Sequence, residues 1–481
     1  MKTEIKGRLG ALIFGGATAT NGWAVLLGEE YTLPYILYLS LRGWSVFISH
    51  QFKGAQTVSE AKSSRMTHGS GNVLHFMKGF GLSALGLLSI VANAIEAPTG
   101  YDGQTNGYLS QAVYDQGLAE FNKAETPADG LGPVFNDVSC QACHKGPIDG
   151  GASQVKVQRA GYFDGVNFIE PPGGSLIPAK AIDPSIQAHV PKDATVRASR
   201  TSLSTLGDGY VEAIPDGAII QIASDQPAVS NGQINGQYLL VDLLEAPGKK
   251  GLGKFGWKAQ HASLVSFSAD AYRNEMGITT PLFPTEPTSN GRSIESFDKA
   301  GRPNDTTEAV ILAANFIRST KAPARTPGST DPRNQRPPKA ATSRQIALNK
   351  GEQTFTSAGC AICHTASFVT APAGTLINGG AYEVPAALGG VTIHPYSDFL
   401  LHDVGTGDGI VQNGGQATRN KIRTMPLWGL SKRRIFLHDG SATSLADAIN
   451  RHSGEASTVV ASFQKLSSQA NQDLMNFLNS L

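Results

Sequence analysis

Apolar residues recur at helical spacing in several parts of the chain. From Gln111 to Phe121, Gly117 and Phe121 stand four residues apart, which puts both on one helical face. The pair returns as Gly351 and Phe355. A glycine on such a face admits close approach of a second helix, and the aromatic ring packs beside it. Two further stripes supply helices of the right kind. Val310, Leu312, Ala313, Phe316 and Ile317 lie within Thr307–Ile317, and Leu466, Leu474, Phe477, Leu478 and Leu481 close the chain. Alternation is confined to Tyr210–Leu244, where AIIQIA and QYLLVDLL read as short strands. The pattern predicts a mainly α protein, with a small β insertion carried by the extra length of Gly150–Lys254.

The polar text divides what the apolar text builds. Ser319–Ser343, STKAPARTPGSTDPRNQRPPKAATS, is basic, proline-rich and nearly without large apolar residues, as a linker would be. It separates two domains, 95–325 and 340–481, with 326–339 between them. Upstream, Lys78, an apolar run from Phe80 to Val91 and the small-residue stretch Ala92-Asn93-Ala94 have the three regions of a secretory signal peptide. Residues 77–94 are therefore expected to be a leader, with the mature chain starting near Ile95 in the periplasm. Residues 1–76 read as an upstream extension, translation starting at Met77 or Met66. A formal net charge of +1 over 481 residues gives no reason to expect a nucleic-acid partner.

All four cysteines fall in two copies of one motif. GLGPVFNDVSCQACH ends in Cys140, Cys143 and His144, and GEQTFTSAGCAICH ends in Cys360, Cys363 and His364. C-x-x-C-H is the attachment pattern of c-type haem. The thiols add to the haem vinyl groups, and the adjacent histidine becomes the proximal iron ligand. A thioredoxin-like pair needs no histidine after the second cysteine, and zinc would leave both histidines without a task. Small cytochrome domains open with a helix like Gln111–Phe121 and close with one lying across it. The expected architecture is two c-type cytochrome domains in tandem, each bracketing one motif, with two covalent haems and no disulfide.

The halves also repeat outside the motifs. FGWKAQHASL (Phe255–Leu264) aligns without a gap to FLHDGSATSL (Phe436–Leu445), setting Trp257 opposite His438 and Ser263-Leu264 opposite Ser444-Leu445. In this register His452 falls opposite Ala271.

Together with EAIP (Glu212–Pro215), EMGIT (Glu275–Thr279), LLHDVG (Leu400–Gly405), RTMPLWGL (Arg423–Leu430) and HSGEA (His452–Ala456), these stretches resemble the bacterial di-haem oxidoreductases, relatives of the di-haem cytochrome c peroxidases. The resemblance spans roughly residues 106–480. It implies that His452, fourteen residues after His438, is the distal ligand of the second haem, where the peroxidases use methionine. It implies that Trp257 relays electrons between the haems and that Glu275 is the distal acid–base group. Glu275 sits at a shorter spacing from Trp257 than the family's, and the family's distal glutamine is missing near Phe267. No histidine stands between His144 and His189 to close the first haem. The resemblance further implies calcium between the domains, a small redox protein or quinol-linked electron donor, and peroxide or another redox substrate. An electron-transfer cytochrome without substrate chemistry is the alternative. His402 and His438 are expected to hydrogen-bond near haem, His394 to have no role, and His189 and His261 are weak candidates for the first haem.

Overall fold

The computed structural model describes residues 95–325 and 342–481, and before them only the backbone of four short strands. Those strands lie within Met1–Ile90. Trp23–Val25 pairs antiparallel with Leu12–Phe14 and parallel with Trp44–Ser49, which pairs antiparallel with Ile36–Leu41. The expected leader, 77–94, and the expected linker, 326–339, lie outside the described residues. The described part of the linker text behaves otherwise: Thr320 and Ala322 are buried against the body of the protein.

From Val91 onward the chain forms its own unit, and its helices follow in this order. The first are α1 (Gln111–Asn122), α2 (Cys140–Cys143), α3 (Asp208–Glu212), α4 (Asp216–Val229) and α5 (Leu264–Met276). After them come α6 (Glu308–Ser319), α7 (Ser343–Ser357), α8 (Leu445–Asn450), α9 (Ser457–Gln464) and α10 (Ser468–Leu478). Side-chain caps set where several begin. Ser110, Ser263, Thr342, Ser444 and Ser467 each accept the backbone N–H three residues on, satisfying a donor the helix itself leaves unpaired.

The glycine–phenylalanine pairs do what their spacing predicts. α1 packs on α6 and α7 on α10, and a Cβ at Gly117 would lie 3.0 Å from Phe316 Cβ. At Gly351 the approach is closer, with a Cβ running into the Asp473 carbonyl oxygen and lying 2.6 Å from Phe477 Cβ. The rings then meet, Phe121 on Phe316 at 4.8 Å and Phe355 on Phe477 at 5.5 Å between centroids. Each ring also faces the histidine of its motif, Phe121–His144 and Phe355–His364 both at 6.2 Å. Gly351→Ala is therefore expected to destabilise the fold by about 1–3 kcal/mol through overpacking, despite alanine's better helix propensity. Gly117→Ala, which meets looser contacts, should cost less. Denaturant midpoints of the two variants check this ordering; equal midpoints would remove the packing role of Gly351.

The β structure is only partly where alternation placed it. QYLLVDLL does supply a strand, Leu240–Asp242, paired with Lys250–Leu252. AIIQIA is instead inside α4, where Ile219, Ala223 and Gln226 are the buried positions. Those three recur at helical spacing, and a short apolar run does not distinguish the two periods. The larger sheet precedes it. Lys156–Phe163 pairs antiparallel with Val196–Thr201, and Phe168–Ile169 and Leu176–Ile177 pair with Lys156–Phe163. Its last residue, Thr201, is delivered to the centre of the site described next. The N-terminal Ile95–Glu96 runs parallel to Val391–Thr392, and the largest apolar cluster mixes Tyr114 and Phe316 with Phe368, Phe399 and Trp428. Among the described residues no helix is long and apolar enough to cross a membrane.

Candidate functional site

Three histidines share one hydrogen-bonding arrangement. Nδ1 of His144 lies 2.7 Å from the Leu203 carbonyl oxygen, that of His364 3.0 Å from the Tyr396 carbonyl, and that of His452 2.8 Å from the Ala448 carbonyl. A carbonyl only accepts, so in each ring Nδ1 carries the proton and Nε2 presents its lone pair. This is the tautomer and orientation that suit a metal-binding imidazole. Burial keeps all three below the usual histidine range, His364 at about 4, so they are neutral at pH 7.

The other described histidines differ. His402 has both ring nitrogens engaged, Nδ1 2.8 Å from Glu455 Oε2 and Nε2 2.9 Å from Asp398 Oδ2. Burial opposes its charge, but the Asp398 and Glu455 carboxylates raise its pKa well above the usual range. It is an imidazolium with nothing to offer a metal. His261 pairs with Asp270 through Nε2 at 3.3 Å and His394 with Glu96 at 3.0 Å, while His189 is exposed.

A cavity of about 820 Å³ takes in Cys360, Cys363, His364 and His452, and Met425 also reaches it. The volume falls in the range of about 300–1,000 Å³ that suits a cofactor or small-molecule site. Apolar side chains such as Ile449, Val460 and Leu478 line it beside the two histidines. A haem on Cys360 and Cys363 fits this donor set, with His364 and His452 as the imidazoles able to reach its iron. The four thiols are free, and burial pushes those of Cys140 to about 12 and of Cys143 and Cys360 to about 11. His144 belongs to the first motif and has no second carbonyl-anchored histidine beside it among the described residues.

The internal repeat meets itself at Trp257. Phe255 bridges to His261 and Phe436 to Ala442, the same loop closed at equivalent positions. The loops then face each other: the Trp257 and His438 rings pack edge to face at 6.1 Å. Thr201 N donates to the His438 carbonyl at 2.7 Å, and Arg423 N donates to the Trp257 carbonyl at 2.8 Å. The indole Nε1 donates to the Thr201 carbonyl at 2.9 Å. Trp257 is thus held on three sides, and both it and His438 line the cavity. The Nδ1 of His438 is buried without a hydrogen-bond partner. Beyond the loops the register loses structural meaning, because α5 continues past Ala271 whereas α8 stops at Asn450 and His452 follows it.

Glu275 lies in the last turn of α5. Its Oε2 accepts from Asn136 Nδ2 at 2.6 Å, and Asn136 in turn accepts from Ala179 N at 2.9 Å. Burial raises the Glu275 pKa against the Asn136 hydrogen bond and the Arg159 charge. The carboxylate is near enough to Cys143 to act on its ionisation. A partly buried carboxyl with a raised pKa beside the first motif suits proton transfer.

Sequence reasoning passed over several of these partners. Asn136 lies inside the quoted first motif, but its type gives no sign that it holds a carboxylate. The carbonyls of Leu203, Tyr396 and Ala448 leave no side-chain trace at all. The grouping Cys363, Asp398 and His402 brings three potential ligand atoms together, yet calcium takes six to eight oxygens, and these residues do not offer them.

Comparison with known proteins places the chain in a family. Among solved structures, the chain is similar to a hydrazine synthase from Kuenenia stuttgartiensis pressurised with xenon, at 15% identity over 86% of this chain and 100% of that one, TM-score 0.36. It is also similar to a MauG-like protein associated with microbial copper homeostasis, at 14% identity over 82% of this chain and 94% of that one, TM-score 0.37. Among curated proteins none matches. The family described as "Di-haem oxidoreductase, putative peroxidase" matches residues 179–481, more than half of the chain. The protein belongs to the di-haem oxidoreductase family.

Proposed function

We propose that the protein is an exported di-haem c-type oxidoreductase of peroxidase type. One observation carries this reading: the cavity at the second motif holds two carbonyl-anchored, neutral histidines, whereas His144 at the first motif stands alone. The second haem would be six-coordinate, between His364 and His452, and suited to electron entry. The first would be held by His144 with its other face open to a ligand. When bound, haem supplies one-electron chemistry and an iron able to take peroxide.

The chain's residues would do the rest. Trp257, fixed by Thr201 and Arg423, provides an aromatic relay between the halves. Glu275, with Asn136 orienting its carboxyl, moves a proton at the first site. A small redox protein or quinol-linked carrier would deliver the electrons, in the periplasm, with peroxide or another redox substrate consumed at the first site. Mass spectrometry of the exported protein should show two covalent haem additions and a mature start near Ile95. Low-temperature EPR of the resting ferric protein should show one high-spin and one low-spin iron. A mass equal to the bare polypeptide would overturn the covalent reading; two low-spin signals and no cyanide binding would leave an electron-transfer protein.

A further inference from the structure

Three arginines line the cavity of the second motif; Arg434 is exposed, while Arg423 and Arg433 are shielded and neither has a carboxylate partner. Arg423 is only 5% exposed. Its Nε donates to the Gly256 carbonyl at 2.7 Å, its terminal nitrogens reach the Thr424 carbonyl and the Met425 sulfur, both at 3.5 Å, and the guanidinium lies 5.8 Å from the Phe399 ring centre. Arg433 makes one contact of 3.3 Å, to the Pro426 carbonyl. Among the described residues neither takes part in an ion pair within 4.0 Å. The acids closest in effect to Arg423 are Asp208 and Asp398. Burial lifts Asp208 to about 7, and Asp398 is engaged with His402.

The Arg433 charge also acts against that of Arg423. Burial lowers Arg423 to about 10, with Asp208 and Asp398 opposing this and the Arg433 charge adding to it. Burial lowers Arg433 in the same way. Beside them the Tyr101 hydroxyl is buried with no hydrogen-bond partner. It is close enough to Arg433 for each to act on the other's ionisation. Lys432 adds a further positive charge, 5.9 Å from the Tyr101 ring centre. Tyr101, Arg423, Lys432 and Arg433 all line the cavity that holds His364 and His452. Desolvated like charges and an orphan donor are costly unless a ligand completes them. Guanidinium forks and a phenol O–H match a carboxylate in particular.

We propose that Arg423, Arg433 and Tyr101 are the clamp for the carboxylate edge of the haem attached at Cys360 and Cys363, so that its two propionates complete their charges and hydrogen bonds. This rests on the haem reading above. It also gives these residues a task besides binding. Neutralising carboxylates beside the iron removes negative charge that would favour the ferric form, so the clamp raises the reduction potential of the second haem. Arg423, whose main chain holds the Trp257 carbonyl, would couple that edge to the relay.

The test is a spectroelectrochemical titration of the exported holoprotein, following the low-spin haem. Arg433→Met should raise the ferric-to-ferrous ratio at a given potential about tenfold, about 59 mV downward for a one-electron couple. Tyr101→Phe should shift it the same way by less, and Arg433→Lys should restore most of the wild-type value. Tyr101→Phe changes only one oxygen, so it keeps the question open to measurement should Arg433→Met fail to fold. If both variants carry two haems and titrate at the wild-type potential, the clamp is wrong and the basic groups serve another anion, such as a carboxylate substrate. If the wild-type protein carries no haem, the reading beneath it falls first, and the haem content of the same preparation reports this separately.

Discussion

Glu275→Gln is expected to slow peroxide turnover by about 10²–10⁴-fold, the usual contribution of a positioned acid–base group. Gln keeps the shape and the hydrogen bond to Asn136 while losing the ability to exchange a proton. Haem content and both resting spectra should stay nearly unchanged, because Glu275 is no ligand of either motif. The pH profile sharpens the test. Burial raises the Glu275 pKa above the ordinary carboxylate range, so the wild-type rate should carry an ionisation displaced upward from that range. Glu275→Gln should lose this limb. Asn136→Ala should retain the limb and shift it upward, since the Asn136 hydrogen bond lowers the pKa. Stopped-flow mixing with peroxide across pH 4–8 reads both effects. A Gln variant with the wild-type rate would make Glu275 a bystander.

His452→Ala should convert the low-spin iron of the second motif wholly or partly to high spin and leave the first unchanged. The reason is geometric. His452 and His364 share a cavity, both are neutral through burial, and both present Nε2 because Nδ1 is held by a carbonyl. Alanine at 452 removes one of the two imidazoles able to ligate there. EPR of the ferric protein gives the answer directly. An unchanged low-spin signal would pass the role to Met425, another cavity residue with a donor atom suited to iron, whose sulfur is contacted only weakly by Arg423. His402→Gln should not produce this spin change, because His402 spends both nitrogens on Asp398 and Glu455.

The sequence by itself determined the parts whose chemistry is local. C-x-x-C-H is read through spacing alone, two thiols and a histidine within five residues, and the family shown for the chain is a di-haem one. Glycine and phenylalanine four apart on a helix share a face whatever surrounds them, and so the α1–α6 and α7–α10 packing was legible. The repeat that sets Trp257 opposite His438 was legible too, as a gapless alignment; that its two copies are facing loops was not.

Other features belonged to the tertiary structure. AIIQIA could satisfy either period, and burial of Ile219, Ala223 and Gln226 against the body of the protein chose the helix. The sheet around Lys156–Phe163 pairs residues some forty positions apart, such as Lys156 with Thr201, and no local spacing reports such a pairing. The sorting of the histidines was decided the same way. His402 and His452 are the same residue type near the same cavity. What separates them is that two carboxylates, Asp398 four residues away and Glu455 from a distant segment, take both nitrogens of one, while a carbonyl takes a single nitrogen of the other. A hydrogen-bond partner on the main chain, or on an element brought in from far along the sequence, has no local signature. The unpaired charges of Arg423 and Arg433 became visible only once folding had removed water from around them without giving either a carboxylate partner.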